Sequence, residues 1–190
     1  MLCGLVLALV TALARPNAAE SLTLEVRVFN GAEEVTSRTR LTVHRAGDRR
    51  ESLPHTTTGD GRVQLVVPAG IYDVQAIEER DGRVVNIRWA NRLVVMPYPD
   101  EQGHHLEVIN FKNGFGALQV RKRTGGLPDV ALFEPGKRHK PIGGPFAGPS
   151  YMLFIVPAST YDLRVRSGEQ ITWQNGIEVP LDRTRLAIIE

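Results

Sequence analysis

Apolar residues alternate with polar ones along Leu22, Leu24, Val26 and Val28, which sets Thr23, Glu25 and Arg27 on the opposite face and predicts a half-buried strand. Asn30-Gly31 forms a turn signal, and Arg40 to His44 keep the same period of two. After a polar stretch from Ala46 to Gly61, Val63, Leu65 and Val67 lead into Pro68-Ala-Gly70 and then Tyr72, Val74 and Ala76. Glu79 to Gly82 closes a hairpin, and Ile87, Trp89, Leu93 and Val95, then Leu106 and Val108, supply the last strands of this stretch. No segment sustains a helical period.

The same order then recurs. Leu118 and Val120, Val130 to Phe133, Met152 to Val156, Tyr161 to Val165, Ile171 to Val179 and Leu186 to Ile188 read as strands, with turns at Gly125-Gly126, Pro157-Ala-Ser and Ser167-Gly168. Val67-Pro-Ala-Gly-Ile-Tyr72-Asp73-Val74 returns as Val156-Pro-Ala-Ser-Thr-Tyr161-Asp162-Leu163, and each copy is followed by a Trp-x-Asn tripeptide, at Trp89 and Trp173. The tyrosines lie 89 positions apart and the tryptophans 84, so the first copy carries five extra residues, expected in its Glu78 to Arg83 loop. A period of about 85 residues fits two small domains in tandem. The expected fold is all-β, two tandem antiparallel β-sandwiches over residues 22–111 and 115–190, because short strands alternate with turn signals throughout. The junction Phe111 to Gly116 is short, which predicts little relative motion.

The Val-Pro-Ala-Gly-x-Tyr turn between two strands, preceded by Thr57-Thr-Gly-Asp60-Gly-Arg62, resembles the prealbumin-like sandwich of carboxypeptidase regulatory-like domains. The Tyr-Asp continuation and the later Trp-x-Asn are similar to the tandem sandwiches found near von Willebrand factor A domains in bacterial exported proteins. In the second copy Gly144-Pro-Phe-Ala-Gly-Pro149 replaces the Gly-Asp-Gly turn. The resemblance implies spacers, adhesins or carbohydrate-binding accessories, since this fold serves many functions.

Composition adds location. Leu2 to Leu13 is apolar and gives way to Ala14-Arg-Pro-Asn-Ala-Ala19, which predicts a secretory signal peptide over residues 1–19, cleaved after Ala19 or Ala14. A dozen apolar residues are too few to span a bilayer, so no stable membrane span is expected in the mature chain. Retention of the segment as a short anchor is the alternative. Cys3, the one cysteine, leaves with the signal, so disulfides and thiolate chemistry are not expected. A secreted or periplasmic location follows. The 23 basic residues nearly balance the 21 acidic ones, and nucleic acid is not an expected partner.

Candidate chemistry is sparse. His104-His105 is the one histidine pair, but neighbours on a strand point to opposite faces and could share a metal only from a loop. Asp48, Asp60, Asp81 and Asp100-Glu101 fall in turns, where aspartate serves local backbone N–H groups; no calcium loop pattern is present. No Gly-x-Ser-x-Gly elbow occurs. Tyr72 with Tyr161, and Trp89 with Trp173, recur in both copies; core packing is the expected role and ligand stacking the alternative. Asp73 and Asp162, beside the tyrosines, are expected to face solvent or to serve turns. Lys137-Arg138-His139-Lys140 lies in the Pro135 to Pro149 stretch, the best candidate for a binding loop. The expectation is a non-catalytic protein without cofactor or metal, binding an envelope or extracellular protein or acting structurally. Carbohydrate binding through exposed aromatics is the alternative, with Lys137, Arg138, His139, Lys140, Trp89 and Trp173 as candidate ligand contacts.

Overall fold

A computed structural model describes residues 21–57, 62–97 and 104–190. The signal segment, the Asp60 turn and Asp100-Glu101 lie outside the described residues. The described chain is all-β and sandwich-like, its one helical turn being the 3-10 segment Thr36–Arg38. Among the described residues no helix is long and apolar enough to cross a membrane.

The first half contains β1 (Ser21–Asn30), β2 (Glu33–Glu34), β3 (Thr39–Arg45), β4 (Thr56–Thr57), β5 (Val63–Pro68), β6 (Gly70–Arg80), β7 (Arg83–Val95) and β8 (His104–Asn110). The second contains β9 (Phe115–Lys122), β10 (Asp129–Phe133), β11 (Phe146–Ala147), β12 (Tyr151–Pro157), β13 (Ser159–Ser167), β14 (Gln170–Val179) and β15 (Thr184–Ile189). In the first half β1 pairs antiparallel with β5 and parallel with β8, β4 extends the β5 side, and β3-β6-β7 form a separate antiparallel sheet. The second half repeats these pairings, whereas β2, which pairs antiparallel with β1, has no counterpart there among the described residues. There β9 pairs antiparallel with β12 and parallel with β15, β11 extends the β12 side, and β10-β13-β14 form the separate sheet.

Each half closes over its own apolar cluster. Leu22, Leu24, Val26 and Val28 of β1 meet Val43, Tyr72, Val74 and Leu93 from the facing sheet. Leu118, Val120, Phe154 and Val156 meet Leu132, Tyr161, Leu163 and Val165 in the same way. The chain changes sheet at Pro68-Ala-Gly70 and at Pro157-Ala-Ser159, and at each corner a buried tyrosine ties the bend. Tyr72 Oη donates to the Pro68 carbonyl at 2.7 Å, and Tyr161 Oη donates to the Pro157 carbonyl at 2.7 Å. Both tyrosines pack in the cores as the repeat predicts, with the hydroxyl as the polar end.

Two expectations are corrected. The five extra residues of the first copy do not form a loop, because both hairpins turn through two residues, Asp81-Gly82 and Gly168-Glu169. They lengthen the arms of the β6–β7 hairpin, and the odd residue is absorbed by an irregularity at Glu78/Glu79. Nor is β1 half-buried: Glu25 is 0% and Arg27 1% exposed, because the face carrying them is covered by the second half. There Phe29, Leu106 and Val108 pack against Ala117, Tyr151, Leu153 and Ile155.

Candidate functional site

The repeated Trp-x-Asn tripeptides lie on the outer faces of the β3-β6-β7 and β10-β13-β14 sheets, where they take part in the same arrangement twice. In the first half the Arg49 guanidinium lies 4.1 Å from the Trp89 ring centroid, its Nη2 donates to Asn91 Oδ1 at 2.7 Å and its Nε to Asp73 Oδ2 at 3.2 Å. Asp73 Oδ1 accepts from the backbone N–H of Arg92 at 2.9 Å, a residue at φ 56. In the second half Arg138 lies 4.4 Å from the Trp173 centroid and donates to Asn175 Oδ1 at 3.0 Å. Asp162 accepts there from the backbone N–H groups of Gly176 and Gly136, both at 3.1 Å. A second ring supports each indole, His44 at 5.8 Å from Trp89 and Phe133 at 5.1 Å from Trp173. A guanidinium over an aromatic face is attracted by the ring quadrupole and held in plane by its hydrogen bonds.

This geometry corrects the expectation for the tryptophans. Both are half-buried on outer faces rather than packed in the cores, and each carries an arginine on its ring. The aspartates serve local backbone N–H groups, one of the two roles expected, rather than face solvent: Asp73 is 4% and Asp162 6% exposed, because β7 and β14 each bulge opposite them by one extra residue, at Asn91-Arg92 and Asn175-Gly176, and so aim backbone N–H groups at the carboxylates. The Arg92 N–H, then the Arg49 guanidinium, hold the Asp73 carboxyl below its usual range against the opposing effect of burial. Arg138 is among the expected contact residues, but its place on Trp173, and that of Arg49 on Trp89, were not foreseen, although Gly47-x-Arg49 and Gly136-x-Arg138 recur at the same 89-residue offset as the tyrosines.

Of the other candidate residues, Lys137, His139 and Lys140 line an open cleft of about 370 Å³ with Glu134, Pro141 and Ile142. Lys137 Nζ pairs there with Glu134, which lowers the Glu134 pKa. Thus the structure joins Arg138 to Trp173 and sets the remaining three beside them on one loop, whereas Trp89 belongs to the equivalent place in the first half. His104 and His105 diverge as adjacent strand residues must. His104 Nε2 meets Glu25 Oε2 at 2.9 Å, and His105 Nε2 meets the Met96 carbonyl.

A second polar cluster joins the halves. Glu25 of β1 accepts from Tyr151 Oη at 2.6 Å through Oε1, and its Oε2 faces His104. Arg121 Nη2 reaches His104 Nδ1 at 2.6 Å, and Arg27, paired with Glu34, lies 3.5 Å from Tyr151 Oη. Burial would raise the Glu25 pKa, but the hydrogen bonds from His104 and Tyr151 outweigh it and hold the carboxyl below its usual range; burial and the Glu25 charge push the Tyr151 phenol up. A polar rim completes the contact, with Arg88 bound to Asp182 at 2.6 Å and Arg62 donating to the Ala147 carbonyl at 3.2 Å. Beside it Glu107 Oε1 is sealed from solvent without a hydrogen-bond partner, and burial pushes its pKa up to about 8, more than the nearby Arg183 offsets.

Fold and surfaces together define an all-β, sandwich-like chain with two cation-capped aromatic platforms facing outward. No protein-family model matches the chain, and no curated protein matches it. Among solved structures it is similar to the TIE protein of Bacillus anthracis, at 16% identity and a TM-score of 0.32, over 90% of this chain and 33% of that one. It is also similar to a DUF3823 family protein from Bacteroides ovatus, at 10% identity and a TM-score of 0.29, over 84% of this chain and 98% of that one. The chain therefore spans a third of the length of the TIE protein. Likeness of this size assigns neither a family nor an activity.

Proposed function

We propose that this is an exported, non-catalytic protein of two tandem prealbumin-like β-sandwich domains, residues 22–111 and 115–190 after a signal peptide over 1–19, acting as a protein-binding or structural module at the cell envelope. The observation that carries the reading is the repetition of strand pairing, tyrosine corner and outer platform in both halves. Duplicated surfaces held in one orientation by a polar and apolar contact suit a spacer or binding module, where geometry matters more than motion. The carbohydrate alternative loses its simplest form: a sugar stacks on a free aromatic face, and guanidinium groups lie over both indoles.

The test is expression of the full chain in a bacterial host, with fractionation and N-terminal sequencing. A mature protein beginning at Glu20 or Arg15 in the periplasm or medium supports the reading. Retention of the unprocessed chain in the cytoplasm overturns it. Photo-crosslinking from exposed Ile87 and Ile171, beside the two platforms, would then capture an envelope partner on intact cells.

A further inference from the structure

The duplicated outer faces have the same scaffold and different charge. At the 89-residue offset Gln75 corresponds to Arg164, Ile77 to Arg166, Asp48 to Lys137 and Glu51 to Lys140; in the reverse sense Arg45 corresponds to Glu134, Arg50 to His139 and Arg40 to Asp129. Residues 22–111 carry 11 basic against 13 acidic side chains, whereas residues 115–190 carry 10 basic against 7 acidic. On the second face the cations alternate with rings. Arg138 lies over Trp173, Trp173 packs on Phe133 at 5.1 Å, and Arg164 lies 5.6 Å from the Phe133 centroid. Arg166 continues the row one pleat further, about 6.6 Å along β13 from Arg164. Its Nε is 4.0 Å from Asp129, a loose surface pair worth little. The loop that lays Arg138 on this face also forms the cleft of Lys137, His139 and Lys140.

We propose that the outer face of the β10-β13-β14 sheet, with this cleft, binds a linear carboxylate-bearing polysaccharide. The inference rests on the reading of the chain as an exported binding module. A row of planar guanidinium groups, pre-set by rings and by Asn175, matches repeated carboxylates in pairwise hydrogen bonds. Ring faces already covered by arginine do not offer the stacking platform that single-stranded nucleic acid uses. Recognition is through charge and spacing, and the first face, with Gln75 and Ile77 in place of the arginines, lacks it.

The experiment titrates the full chain with polygalacturonate in 50 mM salt, with its methyl-esterified neutral form, phosphatidylglycerol vesicles and oligo(dT) as the other arms. Polygalacturonate should bind, perturb emission in the Trp89→Phe variant but not in Trp173→Phe, and weaken at least tenfold in Arg164→Gln/Arg166→Gln. Lys137→Gln/Lys140→Gln, in an exposed loop, should weaken it severalfold, with far-ultraviolet circular dichroism and an unchanged thermal unfolding curve reporting an intact fold in both double variants. Arg80→Gln/Arg83→Gln on the first half should leave binding unchanged. No binding of polygalacturonate, equal binding of the neutral polymer, vesicles or DNA, or indifference to both second-half double variants would overturn the proposal. Loss of binding by a chain that is nonetheless exported removes the ligand alone; a chain retained in the cytoplasm removes the module reading beneath it.

Discussion

Asp73 shows how much one side chain can hold. Its carboxylate receives the N–H of Arg92, a residue in left-handed backbone conformation, and anchors Arg49 over Trp89. Asp73→Ala should destabilise the chain by about 2 kcal/mol, since buried donors then lack an acceptor, and urea unfolding followed by Trp89 emission would measure it. Because the folded pKa values of Asp73, Glu78 and Glu25 are lowered, their contribution is complete above the unfolded values near 4 and is lost as pH falls through the folded values. Stability should therefore drop steeply in acid, and Asp73→Asn should flatten that slope. Glu107 has the opposite sign. Its raised folded pKa favours folding with the proton on, so stability is lost as pH rises from about 4 through about 8. Glu107→Gln should be more stable than the parent at pH 9, by a few kcal/mol, and no different at pH 4; equal melting at both pH values would refute this.

At the scale of elements, the tyrosine corners and the close approach at Gly116 fix where strands change sheet. Tyr72→Phe and Tyr161→Phe should each cost about 1 kcal/mol, by a similar amount because both hydroxyls serve the carbonyl four residues back. Gly116, at the start of β9, has no room for a methyl group: a Cβ there would stand 2.0 Å from the Pro180 carbonyl oxygen and 2.9 Å from Val179 Cγ1. Gly116→Ala should cost about 3 kcal/mol, at the upper end of ordinary overpacking, because backbone must move. Circular dichroism of thermal unfolding would detect it. The strand pattern was legible wherever one face met a core and the other met water. At β12, where the strand expected over Met152 to Val156 does form, alternation is missing, because Tyr151 to Val156 are six apolar residues in succession. Such a run signals a strand covered on both sides, and it marked the contact between the halves.

The whole molecule depends on that contact. Glu25→Ala would leave Tyr151 Oη and His104 Nε2 without their acceptor in the buried seam, at a cost of about 3 to 5 kcal/mol. Differential scanning calorimetry should then resolve two transitions where the parent gives one; a single transition in both would mean that the halves are coupled elsewhere.

The sequence by itself determined the repeat, the all-β class, the positions of the longer strands and the burial of Tyr72 and Tyr161, because alternation and turn chemistry are local and a duplicated core repeats its residues. The tertiary structure alone decided that Glu25 and Arg27 lie in a seam rather than in water, and that Trp89 and Trp173 sit outside under arginines. Strand period separates one face from the other but does not say what covers each. That depends on residues more than a hundred positions away, such as Tyr151, which meets Glu25 only once both halves have folded.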